Sequence, residues 1–232
     1  MEIIKFVFIT ILCGMFVFTG QIVNAEDNKW TALVDESGKV LAEIQQMPDQ
    51  SIPEDLLKDA SAIAIFPSTI SAGFVIGGKY GQGIIMVREE GGAGWSPPAI
   101  LTIVGGSLGW QIGGQATDIV LLVMNRRSVD GILQGQFKLG ADAAVSAGPV
   151  GRNAEASTDI QLKGGILAYS RSRGLFAGVK LEGAALAQHW DGNKELYGKS
   201  LSAREIIIDN KAQMPKSADR VLKVLNKYPY KK

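Results

Sequence analysis

Glycine is unevenly distributed along this chain, and its distribution constrains the fold more than any other sequence feature. Of the 28 glycines, all but Gly14, Gly20 and Gly38 lie between Gly73 and Gly198. Glycine is unfavourable inside helices, and within strands it marks bulges, sharp bends and close approaches of the backbone. We therefore expect the middle of the chain to form a strongly bent sheet and the flanks to form helices.

The glycine-rich middle contains runs that are typical of β-strands. Ala62–Phe66 and Ile119–Met124 are apolar and rich in β-branched residues, and Phe137–Val145 alternates apolar and polar residues. Further strands are predicted over residues 73–78, 82–88, 99–104, 164–170 and 175–186, with a turn over residues 79–81 and a short helix over residues 128–133. No amphipathic helices of about ten or more residues alternate with these runs, which favours an antiparallel sheet over a parallel one.

Both flanks have the periodicity of amphipathic helices. In the first flank a helix is predicted over residues 28–47, and a second, short helix is predicted to begin at a capping box formed by Ser51 and Glu54. In the C-terminal flank Ser202 and Glu205 form another capping-box pattern, and a further helix ends the chain. Each flank is therefore expected to supply helices that pack on the sheet.

These patterns define the expected fold and domain. The fold class is α+β, with a strongly coiled antiparallel sheet or barrel flanked by N- and C-terminal helices. The sheet core is expected at about residues 61–190, and the helical flanks at about residues 28–60 and 202–228. Residues 26–232 are predicted to be one domain, because a length of roughly 200 residues suits a single large core.

Residues 1–25 have the three parts of a cleavable signal peptide. Lys5 supplies the basic start, Phe6–Phe18 is an uncharged apolar run, and Val23 and Ala25 are the small residues that signal peptidase requires. Cleavage is expected after Ala25. The alternative is an uncleaved membrane anchor, but the apolar run is shorter than the roughly 20 residues that span a bilayer. The protein is therefore expected in the periplasm or at the extracellular side of the inner membrane.

Composition excludes several classes of function. Cleavage after Ala25 removes Cys13, the only cysteine, so the mature chain has neither disulfides nor thiol chemistry. A formal net charge of +1 argues against a nucleic-acid-binding protein, which usually carries a large basic excess. With His189 as the one histidine and no cysteine left, a metal site built on these ligands is excluded. No cofactor is expected.

One motif raises the alternative of a serine hydrolase. Gly105–Gly109 matches G-x-S-x-G around Ser107, and Asp142, Asp159 and His189 follow in the order of a catalytic triad. The motif needs a helix directly after the serine, but two adjacent glycines interrupt the residues that follow, and each costs roughly 1 kcal/mol inside a helix. We therefore interpret the serine as part of a bent strand and expect no catalytic residues. The histidine is interpreted as a polar residue at the end of a strand.

Two groups of basic residues are candidates for binding anions, and the first is a predicted hairpin tip. This tip carries Arg171 and Arg173, with Lys163 and Lys180 on its two arms. A guanidinium group can donate two parallel hydrogen bonds to phosphate oxygens, so the tip is a candidate site for phosphorylated ligands. The alternative is a solvated turn, salt-bridged to Glu182 or Asp159.

The second group is the basic face of the last helix, which follows Pro215. Lys223 and Lys227 lie on this face, opposite a stripe of apolar residues. A basic amphipathic helix can lie on an anionic membrane, where each charge near the surface contributes about 1 kcal/mol. The alternative is a helix that packs on the core and exposes its basic face to water. The first helix, which contains Trp30, is a rival membrane-facing element, but its polar face is acidic.

Several blocks of the chain resemble the SYLF lipid-binding domain family, and they follow the family's order over about residues 30–200. They are Ile52–Leu57, Ala62–Pro67, Gly73–Gly78, Gly105–Gln115, Asp118–Met124, Leu139–Arg152, Tyr169–Val179 and Leu181–Gly183. The resemblance implies a non-enzymatic domain that binds anionic lipids, with phosphoinositides as ligands in eukaryotic members and actin as a further partner of some. It also implies that basic residues and an amphipathic N-terminal helix make the membrane contact.

The resemblance transfers to this chain in part. Arg171 and Arg173 match the family block Ser-Arg-Ser-Arg-Gly-Leu-Phe. The first helix departs from the family because its polar face is acidic, and an exported protein does not meet actin. The expected function is therefore binding of anionic phospholipid headgroups at the cell envelope, through Arg171, Arg173, Lys163, Lys180, Lys223 and Lys227. The alternative is a structural domain that binds another envelope protein and has no specific lipid ligand.

Overall fold

The computed structural model describes residues 28–47, 51–92, 94–151, 165–172, 175–178 and 181–230, with the backbone alone at 73–76, 107–114 and 175–178. The described residues form six helices: α1 (Lys29–Gln45), α2 (Glu54–Asp59), α3 (Arg126–Leu133), α4 (Trp190–Tyr197), α5 (Ala203–Ile207) and α6 (Asp219–Leu225). They also form seven strands: β1 (Ala62–Val87), β2 (Ala99–Val123), β3 (Phe137–Lys138), β4 (Val145–Ala147), β5 (Ile166–Ser172), β6 (Leu175–Gly178) and β7 (Ala185–Gln188). The predicted signal peptide and its cleavage site lie outside the described residues.

The sheet is organised around one long antiparallel pair of strands. β1 pairs with β2 from Ala62 opposite Val123 to Ile85 opposite Ala99. On its other edge β2 pairs with β7 near its start and with β5 near its end. β3 continues the sheet beyond β7, and β4 and β6 continue it beyond β5; of these pairings, that of β4 with β5 is parallel and the others are antiparallel. The sheet is curled as a half-barrel, which confirms the expected α+β fold with a coiled sheet flanked by helices.

The two ends of β1 lie side by side, so the β1–β2 pair folds back on itself. The N–H of Arg88, directly after β1, donates to the carbonyl of Ser61, directly before it, at 2.8 Å. Gly83 lies against the carbonyl of Ile65 and the ring of Phe66, where a Cβ atom would overlap with both. This contact therefore requires a residue without a side chain.

Both faces of the sheet are buried near the ends of β1 and β2. On one face, α3 and α5 cover a core that includes Phe66 and Leu121. On the other face, α1 and α6 cover a core that includes Ile65, Leu122 and Val221. Because both faces are buried, the ends of these strands are apolar at every position rather than at alternate positions.

The sequence divides each of the two longest strands, β1 and β2, into shorter strands that the structure joins. β1 runs without interruption through the turn predicted over residues 79–81, and β2 spans both of the strands predicted at 99–104 and 119–124. The bends that glycine indicated lie instead at shifts of strand register, one of which follows Phe66 and the other Gly73. The predicted turn is wrong because its glycine, Gly81, makes a close contact with Thr69 within the sheet.

Two shorter elements also differ from the predictions. The segment Phe137–Val145 is not a single strand, because Gly140 adopts a left-handed conformation with φ of 89° between β3 and β4. The predicted cap at Ser51 is absent, because Pro53 is the N-cap residue of α2. The capping box of α5 and the predicted helices at α1 and α3 are confirmed.

We expect Gly83→Ala to destabilise the protein, because the added methyl group would overlap with the backbone of Ile65. Overpacking of this kind lowers the free energy of unfolding by about 1–3 kcal/mol, which urea denaturation measures. Gly78→Ala is the matched control, since nothing lies within 4 Å of a Cβ atom there, and its effect should stay within about 0.5 kcal/mol. Equal effects of the two substitutions would show that the close contact within β1 is not needed.

The capping box of α5 should make stability depend on pH. A hydrogen bond from Lys211 at 2.8 Å, together with hydrogen bonds from Ser202, lowers the pKa of the Glu205 carboxyl group to about 2. Such a group stabilises the fold above its unfolded pKa, near 4.5, and loses that effect as the pH falls towards 2. The difference in unfolding free energy between the unmodified protein and Glu205→Gln should therefore be constant above about pH 5 and shrink below it. Urea titrations that give the same difference at every pH would contradict this.

Candidate functional site

Arg171 lies in an ion-pair network between the sheet and α1. On β5 it is in register with Asp118 of β2. Its Nε and Nη2 atoms donate to Oδ2 of Asp118 at 2.9 and 2.6 Å, and its Nη1 atom donates to Oε2 of Glu43 on α1. The side chains of Arg171 and Asp118 are only 16% and 15% exposed. The structure therefore shows an arginine paired with carboxylates, but the partners are Asp118 and Glu43 rather than the predicted Glu182 or Asp159, and the side chain is not solvated.

The same network fixes a bend in β1. The Oδ1 atom of Asp118 accepts a hydrogen bond from the N–H of Ser68 at 2.9 Å, and Ser68 has a left-handed φ of 49°. Burial by itself lowers the pKa of Arg171, but the hydrogen bonds from its guanidinium to Glu43 and Asp118 outweigh this effect and raise the pKa. The guanidinium therefore stays charged and joins β1, β2, β5 and α1.

The predicted hairpin that carries Arg171 is confirmed. β5 and β6 pair as far as Ser172 opposite Leu175. The second arm ends at Gly178, and β7 is a separate strand that pairs with β2. The other cations predicted for this hairpin lie outside the described residues, and their roles stay predictions: Arg173, Lys163 and Lys180.

The last helix, α6, exposes its basic face and buries its apolar face. Lys223 on α6 and Lys227 just after it are exposed, and neither forms an ion pair with a residue that the structure describes. Val221 and Leu225 are buried in the core under α1. At the crossing of the two helices, a Cβ atom on Gly38 of α1 would lie 2.6 Å from the backbone nitrogen of Val221. The arrangement is that of a core-packing helix, so the lysines, and not the apolar stripe, face outward.

Arg88 is a buried cation that sequence analysis missed. It is 3% exposed, and its guanidinium donates to the carbonyls of Leu57 at 2.8 Å and Ala60 at 3.1 Å, at the C-terminal end of α2. It also lies 4.3 Å from the ring centre of Trp95, and burial lowers its pKa. Since carbonyl groups use its donors, Arg88 stabilises a helix end and is not an anion site. Its position directly after an apolar strand was a weak signal for burial.

The geometry of a serine hydrolase is absent at the candidate serine. The backbone of Ser107 lies inside β2, opposite Gly77, and the strand continues to Val123, whereas a nucleophile elbow requires a turn into a helix. The interpretation of this residue as part of a strand is therefore confirmed. His189 follows β7, as predicted, and it is also the N-cap of α4, a helix that the sequence did not predict. Its Nδ1 atom accepts a hydrogen bond from the N–H of Gly192 at 2.9 Å.

Two further properties concern only the residues that the structure describes. Among them, no three His, Cys, Asp or Glu side chains converge as a metal site would require. No helix in this part of the chain combines the length and the apolar composition needed to cross a membrane. Of the cations predicted to bind anions, Lys223 on α6 and Lys227 just after it are the exposed ones that the structure describes. They form the candidate site.

Comparisons with known proteins give matches over most of the chain. A family model, Ysc84, described as "Las17-binding protein actin regulator", matches residues 104–228, just over half of the chain. Protein YSC84 of Saccharomyces cerevisiae is 36% identical over 180 residues, which are 76% of this chain and 38% of that protein. SH3 domain-containing YSC84-like protein 1 of Homo sapiens is 31% identical over 202 residues, which are 84% of this chain and 58% of that protein. The chain spans less than two thirds of the length of these curated relatives.

Arg171→Ala should destabilise the fold, because it leaves the largely buried carboxylate of Asp118 without its charged partner. We expect the free energy of unfolding to fall by about 1.5–3 kcal/mol, the range for hydrogen bonds to charged groups. Asp118→Ala should cost at least as much, and the double variant less than the sum, with a coupling of about 0.5–3 kcal/mol. Lys223→Ala is the control and should stay within about 0.5 kcal/mol. Urea denaturation that finds Arg171→Ala as stable as this control would refute the structural role.

Proposed function

Because the chain belongs to the Ysc84 family, whose domain is also called SYLF, we propose that it is a non-enzymatic domain that binds anionic phospholipid headgroups at the cell envelope. Membership rests on the match over residues 104–228 and on the relatives described above. The names of the family and of these relatives refer to Las17 binding, actin regulation and SH3 domains, and none of them refers to an enzyme. A binding role is therefore the starting point.

One observation carries the lipid proposal: α6 presents lysines to solvent while its opposite face holds the helix in place. Lys223 and Lys227 are exposed, and no carboxylate in the described part of the chain pairs with either. Because Val221 and Leu225 anchor the helix under α1, its backbone is fixed at the surface. Charges placed in this way attract an anionic membrane, and each contributes about 1 kcal/mol.

The hairpin of β5 and β6 is proposed as a second contact with lipid. Its lipid-binding residues would be Arg173, Lys163 and Lys180, on the basis of their charge and of the family block that contains the arginine. Arg171 is given a positioning role instead, because two carboxylates already accept hydrogen bonds from its guanidinium. One arginine thus orients the hairpin, and the other contacts phosphate.

The proposed compartment follows from the predicted signal peptide, residues 1–25. An exported domain acts in the periplasm or at the extracellular side of the inner membrane, where phospholipid is abundant and actin is absent. We therefore propose an envelope phospholipid as the ligand, rather than a cytoplasmic phosphoinositide. Neither a cofactor nor a nucleic acid takes part.

A structural or protein-binding domain of the envelope is the second candidate. It is supported by the names of the relatives, which include LAS seventeen-binding protein 3 of Saccharomyces cerevisiae, 36% identical over 180 residues. Because this chain covers only 39% of that protein, the name supports protein binding in general and does not identify a partner for this chain. Recovery of one stoichiometric protein partner, with no lipid co-purifying, would favour this candidate.

Lys223→Gln/Lys227→Gln should weaken binding to vesicles that contain anionic phospholipid, because two charges near the membrane surface are lost. At about 1 kcal/mol per charge, the dissociation constant should rise roughly 30-fold. Flotation with vesicles of phosphatidylcholine and phosphatidylglycerol at low salt measures this change.

The matched control is Lys194→Gln/Lys199→Gln, which removes the same charge from two other exposed positions. This control should reduce the affinity clearly less than Lys223→Gln/Lys227→Gln does, since its two lysines lie outside the contact proposed for α6. Equal binding to pure phosphatidylcholine vesicles, or equal losses in the two double variants, would count against headgroup binding by α6.

A further inference from the structure

The middle of the β1–β2 pair carries apolar residues on its exposed side. This stretch lies outside the part of the sheet that α1 and α6 cover. Alternate residues of a strand share a face, and on one face of this stretch they are exposed. We name these exposed residues the ribbon face: Ile70, Ala72, Gly78, Tyr80, Val104, Gly106 and Ala116. Ile70, Tyr80 and Val104 are 57%, 50% and 40% exposed. None of the seven residues is charged. An exposed apolar surface of this kind usually marks a binding site.

The strand pairings bring the large side chains of the ribbon face together. Tyr80 lies opposite Val104. Where β1 folds back, Gly81 lies against the side chain of Thr69. Ile70 and Tyr80 are the residues next to this contact along β1, so we infer that they are neighbours on the outer side.

The ribbon face continues the side of the sheet that α1 and α6 cover. Along β1, Tyr80 faces the same side as Ile84, and along β2, Val104 faces the same side as Ile100, because alternate residues of a strand share a face. Ile84 and Ile100 are buried in the core under α1. The lysines of α6 therefore lie on the same side of the sheet as the ribbon face.

On the opposite side of the ribbon, the non-glycine side chains that the structure describes are polar except for Ile103. Its buried or half-buried residues include Thr69, Ser71, Lys79, Gln115 and Thr117, and burial lowers the pKa of Lys79. A sheet with one face in water normally turns its polar residues outward and its apolar residues inward. The ribbon has the reverse arrangement, which is the one expected where the outer side meets an apolar phase.

The only charged residue in the ribbon between Ser68 and Tyr80 and between Val104 and Thr117 is Lys79, which lies on the side opposite the ribbon face. Residues 68–78 and 104–117 contain no Asp, Glu, Lys or Arg. A protein interface normally has a polar rim with charged residues, whereas the apolar layer of a bilayer strongly disfavours charge. The composition of the ribbon therefore favours a bilayer over a protein as its partner.

The chain outside the described residues joins the domain beside the ribbon face. Trp30, in the first turn of α1, lies 4.6 Å from the ring of His189, whose Nε2 atom is 3.0 Å from the side-chain nitrogen of Gln82. Gln82 in turn donates to the hydroxyl of Tyr80 at 3.1 Å. The residues before α1 include the apolar run Phe6–Phe18, which enters a membrane during the proposed export. Until cleavage after Ala25, this run would keep the start of α1, and with it the ribbon face, near the bilayer.

We propose that the ribbon face inserts into the apolar layer at the surface of the membrane, with Ile70, Tyr80 and Val104 entering it. The inference rests on the proposed function for the accompanying headgroup contact by α6. Insertion of the ribbon face would add an apolar contribution to the binding free energy, and this contribution does not depend on the charge of the lipid. The two contributions can therefore be lost separately.

A fluorescent probe on the ribbon face tests the proposal in the protein purified from the envelope. In a Cys13→Ser background, which has no cysteine, Ile70→Cys carries an environment-sensitive dye, and Ile208→Cys, at another exposed isoleucine, is the control. With vesicles of phosphatidylcholine and phosphatidylglycerol, the dye at position 70 should shift its emission to the blue and become protected from dithionite. The dye at position 208 should do neither. Bound protein with no shift at position 70, or with equal shifts at both positions, overturns the proposal.

Polar substitutions on the ribbon face provide a second measurement. Tyr80→Ser/Val104→Ser should raise the dissociation constant at least about tenfold, and the binding that remains should disappear at high salt, because only the electrostatic contact is left. Ile208→Ser/Met214→Ser removes exposed apolar side chains elsewhere and should leave the affinity unchanged. Equal losses in the two double variants would contradict a specific role for the ribbon face.

The outcomes separate this inference from the proposed function. Binding that requires anionic lipid but gives no shift at position 70 refutes the ribbon contact and leaves headgroup binding intact. A shift at position 70 that is equally strong on pure phosphatidylcholine supports the ribbon contact and refutes the preference for anionic headgroups. Loss of a co-purifying protein in Tyr80→Ser/Val104→Ser, with no shift on any vesicle, makes the ribbon face a protein-docking surface and overturns the proposal.

Discussion

The backbone contact between the two ends of β1 is the constraint on which the rest of the structure depends. It joins Ser61 to Arg88 by a hydrogen bond and seats Gly83 on the backbone of Ile65. Once the β1–β2 pair has folded back, the ends of both strands form the centre of the sheet, and β5 and β7 extend it from the two ends of β2. Each face then receives its own helices, α3 and α5 on one side and α1 and α6 on the other.

The same fold-back leaves the middle of the β1–β2 pair beyond the helices. There the outer face of the sheet is exposed, and a sheet face in contact with water normally carries polar residues. Instead the outer side holds Ile70, Tyr80 and Val104, and the polar residues are turned inward. None of the helices that the structure describes covers these side chains, so packing in the described part of the chain does not account for this arrangement. The pattern is therefore best explained by a contact that the domain makes with something apolar.

Local patterns in the sequence predict the helices well and the bends of the sheet poorly. α1 is predictable because its apolar stripe is a property of neighbouring residues. The turn predicted at residues 79–81 is wrong because Gly81 accommodates Thr69 across the sheet, a contact that no local pattern reveals. α4 is missed because its cap is a histidine and because Gly192, which Trp30 and Ile100 crowd, resembles a helix breaker.

The candidate site was harder to predict because charge in a sequence does not show how that charge is used. Arg171 stands out in a hairpin, yet its partners are Asp118 and Glu43, and the latter is 128 positions away along the chain. Arg88 did not stand out, and its donors bind carbonyl groups inside the fold. Only contacts between distant residues decide which cations remain available, and in the described part of the chain Lys223 and Lys227 are among them.

This use of arginines inside the fold bears on how such a domain can hold to a membrane at all. Two lysines contribute about 2 kcal/mol at an anionic surface, which is weak and falls further with salt. Full burial of one large apolar side chain contributes about 1.5–3 kcal/mol, and salt does not screen it. Stable attachment generally needs two such signals together. For a chain with a net charge of +1, the proposed insertion of the apolar ribbon would therefore supply the larger part of the affinity, and the proposed lysine contact would select for anionic lipid.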